Sequence, residues 1–99
     1  MQEPKVWFSD VRTKIPGTEK IMEEVLPAHR EYLARLREQK KLFMAGPWLD
    51  GSGGILIFDV PTIEEAKELS SKDPVIARGC FKMDIKAYRA RVTASYQYP

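Results

Sequence analysis

The sequence predicts an α+β domain in which one antiparallel sheet carries two helices on the same face. Three observations point to it. β-Branched and aromatic runs, the last of them strictly alternating, read as strands. Two stretches with apolar residues at three-and-four spacing read as amphipathic helices. Their order along the chain is β-α-β-β-α-β, the split βαβ or ferredoxin-like order.

The first strand is expected around Val6, Trp7, Phe8 and Val11, ending near Ile15-Pro16-Gly17. From Thr18, the residues Ile21, Met22, Val25, Leu26, Leu33 and Leu36 recur at helical spacing. Pro27 lies inside that pattern and predicts a kink or break, with a second piece from about Ala28 to Lys40, because proline removes a helical hydrogen bond. Leu42 to Ala45 reads as the second strand, closed by Gly46-Pro47. A turn-rich loop, Trp48 to Gly54, returns the chain into an apolar strand from Ile55 to Val60.

Thr62 and Glu65 form a capping box, and Ile63, Ala66 and Leu69 give the second helix one apolar face up to about Ser71. Asp73-Pro74 ends it, leaving room for one further turn before Gly79. Phe81, Met83, Ile85 and Ala87 then alternate with Lys82, Asp84 and Lys86, the pattern of a half-buried strand. Residues 90 to 99, with Tyr96 and Tyr98, show no firm pattern and read as a tail or an arm that packs on a partner.

A chain of 99 residues has room for one hydrophobic core, so one domain is expected, with its core over about residues 5–88. Hydrophobic residues make up 43% and charged residues 30%, a globular balance. The net charge of +2 comes from 16 basic and 14 acidic residues dispersed along the chain, which argues against a nucleic-acid footprint. No stretch approaches a membrane span and the N-terminal residues lack a signal-peptide pattern, so a cytoplasmic location is expected. Cys80 is the sole cysteine and cannot close an internal disulfide.

The first and third strands are apolar at consecutive positions and therefore on both faces. The helices cover one face, and a second copy of the domain is the simplest cover for the other. The Lys82, Asp84 and Lys86 side of the last strand would then lie at the rim of such a contact.

His29, the sole histidine, falls on the same helical stripe as Leu26, Leu33 and Leu36, whereas Arg30, Glu31, Arg37 and Glu38 fall largely elsewhere. Two readings fit. His29 is either a buried histidine satisfied by hydrogen bonds, or a general base, a role suited to a group whose ordinary pKa is about 6.5. A base needs a carboxylate to fix its tautomer, and Asp10, Asp50, Asp59 and Asp73 are the candidates; Asp50 also suits a turn and Asp73 a helix terminus. One cysteine and one histidine make no zinc pattern, so no metal is expected. The Gly51-Ser52-Gly53-Gly54 stretch joins two strands and reads as a hairpin turn rather than a phosphate loop. Trp48 and Leu49 are apolar groups that either line a pocket or pack on the sheet edge.

Taken together, Pro27-Ala28-His29-Arg30, Leu42 followed by Ala45-Gly46-Pro47, Gly53-Gly54-Ile55, and Ser70 to Gly79 with Asp73-Pro74 resemble the YCII-related family over about residues 5 to 88. The resemblance implies a ferredoxin-like fold that pairs into a dimeric α+β barrel, and a His-Asp dyad made here by His29 and Asp73. Gly46 and Pro47, with Trp48, would form the substrate-binding wall. Val75 stands where the family often has an aromatic residue, and Arg78 where a small one is common. Family members with assigned chemistry act without metal or organic cofactor on small cyclic molecules, including chlorinated hydroxyquinols. The expectation is a homodimeric, cofactor-free lyase or isomerase on a small phenolic or enolic compound, specifically a dehydrochlorinase in aromatic degradation. The alternatives are a non-catalytic domain that binds a small metabolite and a structural dimerisation module.

Overall fold

The computed structural model describes residues 4–97. Strand β1 (Lys5–Lys14) leads into helix α1 (Glu19–Glu38), followed by β2 (Leu42–Pro47), β3 (Gly53–Phe58), helix α2 (Ile63–Ser71), the single turn α3 (Pro74–Ala77) and β4 (Phe81–Ala90). The strands form one sheet in the order β2-β3-β1-β4, and every neighbouring pair is antiparallel. The element order, the antiparallel pairing and the added turn after Asp73 agree with the sequence reading.

Three boundaries differ from expectation. Helix α1 runs unbroken through Pro27. Proline's fixed φ suits a helix, and Glu23 and Pro27 are both exposed, so water can reach the carbonyl that Pro27 cannot serve. Strand β2 continues through Gly46-Pro47, which an edge strand tolerates because its outer N–H groups need no partner. Strand β3 starts earlier, at Gly53, and ends at Phe58. Gly53 has φ of 154°, and a Cβ there would overlap the Arg12 carbonyl, so only glycine lets β3 approach β1 so closely. After β4, Val92 pairs with Gln97 across a turn held by Thr93. Tyr98 lies outside the described residues.

Period-two alternation divides the sheet into two faces. On the helix side, Phe8 sits across from Phe58 and packs with Leu36, Leu56, Val60 and Ala66. Towards the other end, Val25, Val75 and Cys80 form a second apolar cluster between α1, α3 and the start of β4. On the far face the rings of Trp7 and Phe43 meet at 4.4 Å, and Val11, Met44 and Tyr88 are exposed around them.

Candidate active site

Asp73 is placed by its own local structure. Just before Pro74, in extended backbone, it caps α3 with a carboxylate that accepts the Val75 N–H at 3.2 Å. The same carboxylate is completely buried and lies under α1, where His29 points inward from the apolar stripe. Nδ1 of His29 lies 2.7 Å from Oδ1 and 2.9 Å from Oδ2 of Asp73. This pairing fixes Nδ1 as the protonated ring nitrogen when the imidazole is neutral. Nε2 is left without a hydrogen-bond partner among the described residues.

The pair is part of a larger buried network. Arg12, 3% exposed on the helix face of β1, donates from Nη1 to Asp73 Oδ2 at 2.7 Å and from Nε to Asp10 Oδ2 at 2.9 Å. Its Nη2 donates to Ser70 Oγ at 3.1 Å, and that hydroxyl donates to Asp10 Oδ2 at 2.6 Å. One guanidinium thus lies between two buried carboxylates, which satisfies the requirement that buried charge be paired. Asp10 Oδ1 has no partner among the described residues. Burial pushes the Asp73 carboxyl up, but hydrogen bonds from His29 and Arg12 and the charge of the guanidinium outweigh it and hold the group below the usual carboxylate range.

A cavity of about 350 Å³ opens beside this network, with His29, Arg12, Leu26, Gly46, Pro47 and Gly54 in its wall. Gly54 sits across from Arg12 in the β1–β3 register, and a Cβ there would stand 2.6 Å from the Gly46 carbonyl. The glycine therefore keeps the ends of β2 and β3 close together at the cavity. The remaining lining is largely apolar, a composition suited to a small ring with few polar substituents.

Of the residues singled out by sequence, His29, Asp73, Gly46 and Pro47 converge here. Trp48, expected in the same wall, is 41% exposed and stands outside the lining. Asp10 belongs to the network, whereas Asp50 accepts the Ser52 N–H in the hairpin turn and Asp59 pairs with Lys5 at 2.6 Å. Arg12 and Ser70 were not anticipated. The available signals were parity with Phe8 on β1 and a four-residue step from Ala66 on α2, which place both on the covered face. Among the described residues no three His, Cys, Asp or Glu side chains are grouped as a metal-ligand set.

Residues 7–88 match the family model described as the YCII-related domain. The chain belongs to the YCII-related family. A relative from Bacillus subtilis (strain 168), named Uncharacterized protein YjpA, is 36% identical over 74 residues, which are 75% of this chain and 87% of that protein. The YCII-related chain also resembles 5-chloro-2-hydroxyhydroquinone dehydrochlorinase (TftG) from Burkholderia phenoliruptrix AC1100, solved in complex with 2,5-dihydroxybenzoquinone. The TM-score is 0.72 at 24% identity, covering 83% of this chain and 92% of TftG. That likeness establishes a shared fold, the ferredoxin-like α+β arrangement. No helix among the described residues is long and apolar enough to cross a membrane.

Proposed function

We propose that this chain is a cofactor-independent lyase or isomerase acting by proton transfer on a small phenolic or enolic ring, and specifically that it removes HCl from a chlorinated hydroxyquinol. The observation that carries the proposal is His29, tied through Nδ1 to a fully buried carboxylate and present in the wall of a ring-sized cavity. The dehydrochlorinase activity for which TftG is named supports the specific reaction, since TftG shares the fold.

In this scheme Nε2 of His29 takes a proton from a ring hydroxyl while Asp73 orients the imidazole and stabilises its cation. His29 returns that proton to the ring carbon bearing chlorine, making it tetrahedral. Loss of a second hydroxyl proton then expels chloride and leaves a quinone. Two protons leave oxygen, one ends on carbon and one departs with chloride, so the balance closes without an oxidant or a cofactor. Gly46 and Pro47 support the ring, and the buried network keeps the dyad aligned with it.

Chloride release from 5-chloro-2-hydroxyhydroquinone by the purified chain tests the reading. His29→Ala should fold, by circular dichroism, and lose roughly a hundred-fold to ten-thousand-fold in rate. Turnover at the wild-type rate in that variant would overturn it. A rise in melting temperature with ligand, but no chloride release, would instead mark a non-catalytic binder.

We also propose a homodimer through the far face of the sheet. Trp7, Phe43, Met44, Val11 and Tyr88 form a broad apolar surface, while Lys82, Asp84 and Lys86 lie on the edge strand β4, at its rim. Sedimentation should report twice the chain mass, falling to the monomer in a Met44→Lys, Tyr88→Lys variant.

A further inference from the structure

Arg30 follows His29 on α1, and the helical turn of about 100° per residue directs the histidine inward and the arginine to the cavity mouth. Arg30 lines two spaces at once: the His29 cavity and an adjoining groove of about 300 Å³ between α1 and the edge strand β2, with Leu33 and Ala45 common to both. Two turns further along α1, Arg37 lines the same groove. Among the described residues, no aspartate or glutamate lines either space.

The two arginines also differ from other surface cations of the chain. Lys72 pairs with Glu68, Lys41 with Glu65 and Arg78 with Glu24. Arg30 has Leu26, Pro27, Leu33 and Ala34 at its neighbouring helical positions, and Arg37 has Leu33, Ala34, Lys40 and Lys41. The helix therefore supplies neither with an acidic neighbour, and neither forms an ion pair among the described residues. Arg37, in the last turn, also complements the helix dipole; Arg30, in mid-helix, has no such role. Arg12, the other arginine at the cavity, already holds two buried carboxylates.

We infer that the ring bound beside His29 carries a carboxylate, which Arg30 receives at the cavity mouth while Arg37 extends the positive field along the groove. This rests on the reading of the cavity as a ring-binding site and adds a carboxylate to the ring, a substituent that 5-chloro-2-hydroxyhydroquinone, the parent ring used to test chloride release, lacks. A guanidinium fork matches a carboxylate with two parallel N–H donors. The charge is the substrate's to supply, since no protein carboxylate competes for Arg30 at the cavity.

Two probes with the same hydroxyl pattern test this by titration calorimetry at low ionic strength: 2,5-dihydroxybenzoate, charged, and 2,5-dihydroxybenzamide, neutral. The wild-type chain should bind the benzoate at least about tenfold more tightly. Arg30→Gln should bring the two affinities within about twofold of each other, and Arg30→Lys should leave an intermediate preference. Equal affinities in the wild type, no binding of either probe, or a preference that survives Arg30→Gln would overturn the inference. Because the readout is binding, it separates from the function proposed above. A carboxylate preference without chloride release sinks only that function, and His29-dependent turnover without a preference sinks only this inference.

Discussion

Phe8 and Arg12 lie on the same helix-covered face of β1, 6% and 3% exposed, and are buried by different physics. Phe8 joins Leu36, Phe58 and Ala66 in an apolar cluster where the requirement is volume, and where neighbours can shift to fill a gap. Each of the three guanidinium nitrogens of Arg12 has a named acceptor, and removing any member leaves a polar atom unserved. The first region stabilises the sheet against α1 and α2. The second spends stability on holding Asp73 in one place beneath His29, and it borders the cavity.

The two regions should respond alike to a severe deletion and differently to acid. Phe58→Ala, a cavity-forming change at a fully buried ring, should cost about 3–5 kcal/mol in urea unfolding at pH 7. Arg12→Met should cost a similar amount, about 3–5 kcal/mol, because it strands Asp10 and Asp73 as unpaired buried charges.

On acidification the two costs should separate. Burial raises the Asp73 carboxyl, but hydrogen bonds from His29 and Arg12 and the guanidinium charge bring it below its ordinary value. Its contribution is therefore present above the unfolded carboxylate value of about 3.9 and lost as pH falls through the lower folded value. The deficit of Arg12→Met should shrink below about pH 4, while that of Phe58→Ala stays constant. A pH-independent deficit in Arg12→Met would remove the electrostatic half of the comparison.

The same contrast explains what could be read from sequence. Apolar burial leaves a local mark, so the stripe Leu26, His29, Leu33, Leu36 and the alternation along β4 placed the helix and strand, and placed His29 inward. Paired burial leaves no local mark. Arg12 meets Ser70 and Asp73 at separations of 58 and 61 positions, and only the folded topology brings them together. Asp73 was legible through the family resemblance and the Asp-Pro step, not through any pattern that foretold its complete burial. Of the kink or break expected at Pro27, the break does not occur, for a related reason: whether a lost helical bond ends a helix depends on whether water reaches the freed carbonyl, which periodicity does not report.

Ser70→Ala probes coupling within the polar region. It removes a donor to Asp10 Oδ2 and an acceptor for Arg12, and should cost about 1–3 kcal/mol. Combined with Arg12→Met the costs should fall short of additive by at least about 0.5 kcal/mol, since both act on the same carboxylate. Val60→Ala, in the apolar cluster, should add to Arg12→Met without interaction, as measured by a double-mutant cycle.

Tyr32 touches both regions and gives the smallest and most diagnostic effect. Its ring packs on the apolar cluster, while its hydroxyl donates to the Leu69 carbonyl at 2.8 Å, one of the last carbonyls of α2 that the helix cannot serve itself. Tyr32→Phe keeps the ring and removes that bond, so about 0.5–1.5 kcal/mol should be lost at pH 7. Burial, and then the negative charge of Asp73, raise the Tyr32 hydroxyl above its ordinary value of 10.0. The neutral phenol is therefore favoured in the folded chain, and its contribution is present below the unfolded value and lost as pH rises through the folded one. The gap between wild type and Tyr32→Phe should close above about pH 10, and ultraviolet titration should place the Tyr32 ionisation above that of an exposed tyrosine. Asp73→Asn should lower that ionisation without abolishing the shift, because burial is its larger cause. If the shift vanished, the apolar region would be contributing nothing at Tyr32, and the division between packing and pairing would fail at the one residue where they meet.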